Sequence, residues 1–200
     1  MLPRELNVAD LPTVVFGRRS PMWWATGGIM LVEGVLLAIT VASYFYLASR
    51  NANWPPLDTA PPQILPGTVN LVLFLVSLAP NFWLKRVAGS GDVEKTRRAL
   101  YVMILLGAAT LVLRVFEFAG LNCRWDFSSY ASISWLLLGV LSLQLLTDWA
   151  DTVVLTIMLF GNHVRAGRFM DVAESADYWN FVVGSAAVGW VILYLVPRWL

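Results

Sequence analysis

Apolar residues fall in five long stretches, at roughly 22–49, 68–84, 99–121, 133–160 and 178–197, separated by short polar segments. Each reaches or exceeds the ~17–25 residues that a helix needs to cross ~30 Å of hydrocarbon. The period-two alternation of a transmembrane barrel strand is absent. A backbone in lipid must satisfy its own hydrogen bonds, so the pattern predicts helices. The first and fourth stretches are long enough to need tilt or protruding ends. The expectation is an all-α membrane protein: a single domain over residues 1–200, built as a bundle of five transmembrane helices.

Composition sharpens this picture. The 200 residues are 58% apolar and 14% charged, with ten Trp, where an ordinary soluble domain carries about a quarter charged residues. A soluble chain of this size could not hide so much apolar surface from water. A formal net charge of +1 gives no electrostatic footprint for nucleic acid. One cysteine, Cys123, cannot close an internal disulfide.

Positive residues set the expected orientation. Arg4, Arg18, Arg19, Lys85, Arg86, Lys95, Arg97, Arg98, Arg165 and Arg168 fall on one side of the membrane, and only Arg50, Arg124 and Arg198 on the other. This places the N-terminus in the cytoplasm and the C-terminus outside. The segment before Met22 has no apolar run, so no signal peptide and no translocation of this tail are expected. The proline-rich stretch from Arg50 to Gly67 reads as an extended, ordered external loop. Asp92 reads as an N-cap for the third helix or for a short turn before it. Trp23, Trp24, Trp54, Trp125, Trp179 and Trp199 lie near span ends, as in an interfacial aromatic belt.

Catalytic parts are missing. His163 is the one histidine, too few for a bis-His haem or a histidine-rich copper site. No phosphate-binding glycine loop and no convincing Ser-His-Asp set is present. What stands out instead is a set of ionisable residues inside spans: Glu33, Arg114, Glu117, Asp148 and Asp151. Each costs ~2.5–3.5 kcal/mol or more if it faces lipid at mid-bilayer, so each faces protein, water or another of the set. Arg114 and Glu117 are three apart on one helix face. Arg114 and Asp148 are expected at similar depths, which suggests an interhelical pair. A structural clamp is the plainer reading of these residues; a proton or ion pathway and contacts with a partner subunit or lipid are the alternatives. Glu33 has no cation partner in sequence and reads as a protonated acid hydrogen-bonded to a neighbouring helix, and Gly34 beside it would let helices approach closely. Arg165 and Arg168 could grip a phospholipid headgroup, or act simply as positive-inside anchors.

Several segments together resemble subunit III of the haem-copper oxidases. They are the entry FGRRSPMWW (16–24) with Glu33-Gly34 and Ala42 to Leu47, the loop motif Trp54-Pro55-Pro56 with Asn70 and Ser77 beyond it, Arg114 to Phe118, and Tyr178-Trp179-Asn180-Phe181-Val182. The order and spacing hold from Phe16 to Leu200. The chain departs from the family where Asn180 and Val183 stand for the usual His and Asp, and where Leu141 and Gln144 fall in a stretch that usually carries two histidines. The connection from Arg165 to Asp177 is short for the family, and five spans resemble its shorter versions.

The resemblance implies a non-catalytic subunit of a cytochrome c oxidase type of respiratory complex. It would hold no metal itself, with haem and copper in the partner subunits. It would pack against catalytic subunit I, and with subunit II in the same complex, bind structural phospholipid in a cleft, and support proton uptake. Glu33 matches the family's carbodiimide-reactive glutamate at that cleft. The expected location is the bacterial inner membrane. Two other readings are an accessory subunit of a nitric oxide reductase and an independent small transporter. The latter lacks the broken span centres that transporters show.

Overall fold

A computed structural model describes residues 20–161 and 166–199, without the side chains of 166–168. The N-terminal tail through Arg19, and with it Arg4 and Arg18, lies outside the described residues. So do His163, Arg165 and the side chain of Arg168, on which the headgroup expectation rests.

Five helices are long and apolar enough to cross a membrane. They are α1 (Pro21–Ser49), α2 (Ile64–Ser90), α3 (Val93–Ala119), α4 (Ser129–Phe160) and α5 (Ala166–Trp190). The last continues through a π-helical turn, Val191–Leu195, into a final helical turn, α6 (Val196–Trp199). The bundle has two ends. One carries the α1–α2 and α3–α4 connections and is called here the Trp54 end. The other carries the α2–α3 turn and is called the Gly91 end.

The helices run longer than their apolar stretches. α2 starts at Ile64, so Pro66 and Gly67 sit in its first turn rather than in an extended loop. A proline there costs nothing, because the first N–H groups of a helix have no intrahelical partner. α5 starts at Ala166, so the supposed connection up to Asp177 is largely helix. Apolarity marks where lipid is met, whereas helical hydrogen bonding continues into polar turns beyond it.

Local chemistry sets the ends. Ser20 accepts from the Met22 N–H at 3.1 Å, with Pro21 at the first helical position. Asp92 caps α3 as expected, accepting from the Lys95 N–H at 3.0 Å. Ser128 caps α4 through the Ala131 N–H at 3.2 Å. Gly91 closes α2 with φ 71°, a left-handed turn that favours glycine. Pro80 lies inside α2, where it removes one backbone bond without ending the helix.

α4 and α5 form the centre, each packed on three neighbours. α2 bridges α3 and α5, and α3 bridges α2 and α4. α1 packs on α4 and α5, and just 17% of its most apolar window is buried, against 56% for α4 and for α5. The core divides into a Gly91-end cluster around Phe74, Leu100, Leu145, Trp179 and Val183, and a Trp54-end cluster around Tyr44, Trp54, Tyr130, Leu138 and Leu193.

The belt expectation needs correcting at two positions. Trp24, Trp125 and Trp199 are exposed, as a belt requires, with Trp23 partly so and edge-on to Trp24. Trp54 and Trp179 are buried. Trp54 stands edge-to-face between Tyr44 and Tyr130, with ring centroids 5.2 and 5.1 Å away, while Pro55 and Pro56 beside it are half-buried. Trp179 donates its indole N–H to Ser77 Oγ at 2.8 Å. A buried Trp needs a partner for that N–H, and Ser77 supplies it.

Candidate functional site

Two buried polar clusters stand at different depths in the bundle, one towards its middle and one at the Trp54 end. The first lies at the seam of α1, α4 and α5. Glu33, Asp148 and Tyr178 each stand twelve residues from their helix's Gly91 end, about 18 Å at ~1.5 Å per residue. Equal depth brings them together. Tyr178 Oη donates to Glu33 Oε2 at 2.5 Å. Asp148 is 1% exposed, lies within electrostatic reach of Glu33 and Asp151, and its Oδ1 has no hydrogen-bond partner. One turn further along α4, Gln144 is buried with neither amide atom partnered. Asp151 reaches the Ser175 hydroxyl. Beside this group a cavity of about 140 Å³ opens toward the Gly91 end, lined by Met22, Thr26, Ile29, Thr147, Asp151, Asp171, Ser175 and Tyr178. Carboxyls and hydroxyls face apolar side chains across it, a lining suited to an amphipathic molecule.

The second cluster lies at the Trp54 end, between α2, α3 and the π-helical turn. Glu117 accepts from Arg114 Nη1 at 3.0 Å, from Tyr194 Oη at 3.1 Å, and from Asn70 Nδ2. Arg114 is 5% exposed and Glu117 4%, so this is a buried ion pair whose acid accepts three hydrogen bonds. Gly67 makes room for Tyr194: a Cβ on it would fall 2.3 Å from the phenol ring. Gly34, expected to allow close approach, has only an ordinary 3.7 Å spacing to Phe181.

The expected Arg114–Asp148 pair does not form. Arg114 sits five residues from the Trp54 end of α3, but Asp148 sits nineteen from that end of α4, and counted from either end the two differ in depth by roughly 13–21 Å. Arg114 pairs with Glu117 on its own helix, and Asp148 instead keeps level with Glu33. Arg114, Glu117, Asp148 and Asp151 therefore belong to two separate sites rather than one clamp.

Asn180 and Val183 take structural roles. Asn81 Nδ2 bridges to Asn180 Oδ1 at 3.0 Å and to the Ala176 carbonyl at 2.8 Å, tying α2 to α5. Val183 is core. Leu141 packs under Gly189, where a Cβ would come within 2.2 Å of it. Tyr194, Asn81 and Gly67 escape a reading of sequence; Tyr194 sits in a purely apolar run whose π turn no periodicity announces. Among the described residues no group of three or more His, Cys, Asp or Glu side chains is placed to hold a metal ion.

Five apolar helices around buried polar clusters define an all-helical, multi-pass membrane protein. Most of the chain is similar to cytochrome c oxidase subunit 3 from three organisms. With that of Mammuthus primigenius it is 24% identical over 191 residues, covering 94% of this chain and 71% of that protein. With that of Loxodonta africana the figures are 23% over 176 residues, 87% and 66%. With that of Thermostichus vulcanus they are 21% over 172 residues, 84% and 84%. The chain thus spans about two thirds of the length of the mammalian relatives. No family model matches it. These distant relatives support the resemblance to subunit III without selecting a particular member.

Proposed function

We propose that this chain is a subunit III-like, non-catalytic component of a haem-copper respiratory oxidase in a bacterial inner membrane. In this reading it braces catalytic subunit I, retains phospholipid and supports proton uptake, while haem and copper reside in partner subunits. The N-terminus faces the cytoplasm and the C-terminus the outside, following the charge bias. By the same charge bias Arg165 and Arg168 belong to the cytoplasmic side, as headgroup ligands or simply as positive-inside anchors.

One observation carries the reading: the Glu33–Tyr178 bond beside a cavity of about 140 Å³ with a mixed polar and apolar lining. Glu33 is the position that resembles the family's reactive cleft acid, and Tyr178, its hydrogen-bond partner, lines this cavity. Similarity to three proteins named as subunit 3, spread over most of the chain, adds independent support.

The test is purification through a tag on this chain in mild detergent. A haem-bearing, copper-containing catalytic subunit should accompany it. Complex lacking this chain should begin reducing oxygen at the normal rate and then lose activity sooner over repeated turnover. A chain that purifies alone, or a depleted complex with an unshortened working life, overturns the proposal. A non-haem iron partner would transfer the chain to nitric oxide reduction instead.

A further inference from the structure

The guanidinium of Arg114 uses one corner and leaves an edge bare. Nη1 donates to Glu117 Oε2 at 3.0 Å. Nε and Nη2 are buried and have no protein partner. These two N–H groups lie side by side on the same edge of the fork and point the same way. Leaving buried donors unmatched costs about 1–3 kcal/mol each, and more when they carry charge.

The same chain shows what that edge takes. At Arg97, Nε and Nη2 converge on a single oxygen, the Leu159 carbonyl, at 2.9 and 2.6 Å. Arg114 needs one oxygen in the equivalent place. It lines a cavity of about 10 Å³, together with Glu117, Tyr194, Phe74, Leu141 and Gly189. A space of this size admits about one water molecule and nothing larger. A chloride ion or a headgroup phosphate is too big, and Glu117 already balances the charge of Arg114.

We infer that this cavity is a single-water site, its water oxygen accepting from both Nε and Nη2 of Arg114. The water keeps two protons to donate, and Glu117 and Tyr194, which both carry acceptor oxygens, line the same space. Three or four hydrogen bonds are the usual complement of a buried water. Such a water completes the link from α3 to the π-helical turn. Glycines also stand in its wall: a side chain at Gly67 or Gly189 would collide with Tyr194 or Leu141, which line the same space.

The experiment uses the intact protein in lipid nanodiscs, in whatever complex it purifies with. A density map finer than about 2 Å resolves ordered waters. One compact peak within hydrogen-bond reach of both Nε and Nη2 is the expected result. No peak there, or density continuous with a lipid or a partner side chain, overturns the inference. Infrared difference spectra in H₂¹⁶O and H₂¹⁸O give a second readout: a buried-water O–H band that shifts to lower frequency with the heavy isotope is expected, and should be lost in Ala186→Leu, which fills the cavity from another wall. A band unchanged by that substitution assigns the water elsewhere and overturns the site.

Discussion

Tyr194 and Glu117, 77 residues apart in the chain, meet at 3.1 Å, with the phenol donating to Oε2. The contact exists because a π-helical turn swings Tyr194 inward and Gly67 leaves space for its ring. Gly67→Ala should therefore destabilise the fold, by about 1–3 kcal/mol as overpacking of a tight core does. Thermal melting in detergent reads this out. Pairing it with Tyr194→Leu should recover part of the loss; no recovery would mean that the ring is not what Gly67 accommodates.

The Arg114–Glu117 pair allows a second test. Removing either charge strands the other in a buried setting, at a cost of about 3–5 kcal/mol. Arg114→Leu and Glu117→Leu should each be severe, and the double variant milder than the worse single one. A double variant that simply adds the two losses would show the residues to be uncoupled.

Tyr178→Phe removes the phenol hydroxyl that donates to Glu33 and should cost about 1 kcal/mol, the net worth of a hydrogen bond. Glu33→Gln keeps an acceptor for Tyr178 and should melt close to wild type. If the seam holds phospholipid, Glu33→Ala should lower the lipid count per purified complex, measured by phosphorus assay.

Asp92 predicts a pH effect confined to the start of α3. Its hydrogen bonds with Lys95, to the side chain at 2.9 Å and the backbone N–H at 3.0 Å, hold its carboxyl below the ordinary aspartate range. A carboxyl that titrates lower when folded supports the helix above the ordinary range, and loses that support as pH falls through its depressed value. Amide exchange at 93–96 should accelerate at acid pH. Asp92→Asn, which retains an N-cap, should abolish the pH dependence but leave protection at neutral pH.

Cys123 offers a probe of orientation. Partial burial pushes its thiol up, opposed by a contact with Trp135, so thiolate is scarce at neutral pH. Maleimide labelling should be slow at neutral pH and climb as the medium becomes alkaline. On intact spheroplasts an impermeant maleimide should reach it from outside, where the charge bias puts the 120–128 connection. Labelling only after the membrane is breached reverses the orientation.

Much of this structure is visible in the order of residues. Five apolar stretches mark the centres of five helices, and Asp92 announces the start of one. Helix ends are less visible, because polar turns such as 166–177 stay helical beyond the apolar boundary. Pairing between helices is the hardest to read. Arg114 and Asp148 look like partners only while helix starts are uncertain by several residues, since each residue moves a side chain about 1.5 Å in depth. Tyr194 gives no cue, because a hydroxyl in an apolar run looks like any buried aromatic. Glu33 was legible as an acid needing a neighbouring helix, but not that Tyr178 would serve it.

α1 leans on α4 and α5, and its Met22, Thr26 and Ile29 wall the cleft beside the Glu33–Tyr178 bond. Solvents that strip lipid should pry this outlying helix loose before the rest of the bundle yields. Whatever the cleft retains would be lost at that same moment, so harsh extraction should yield a still-folded remnant of α2 to α5 emptied of its cargo.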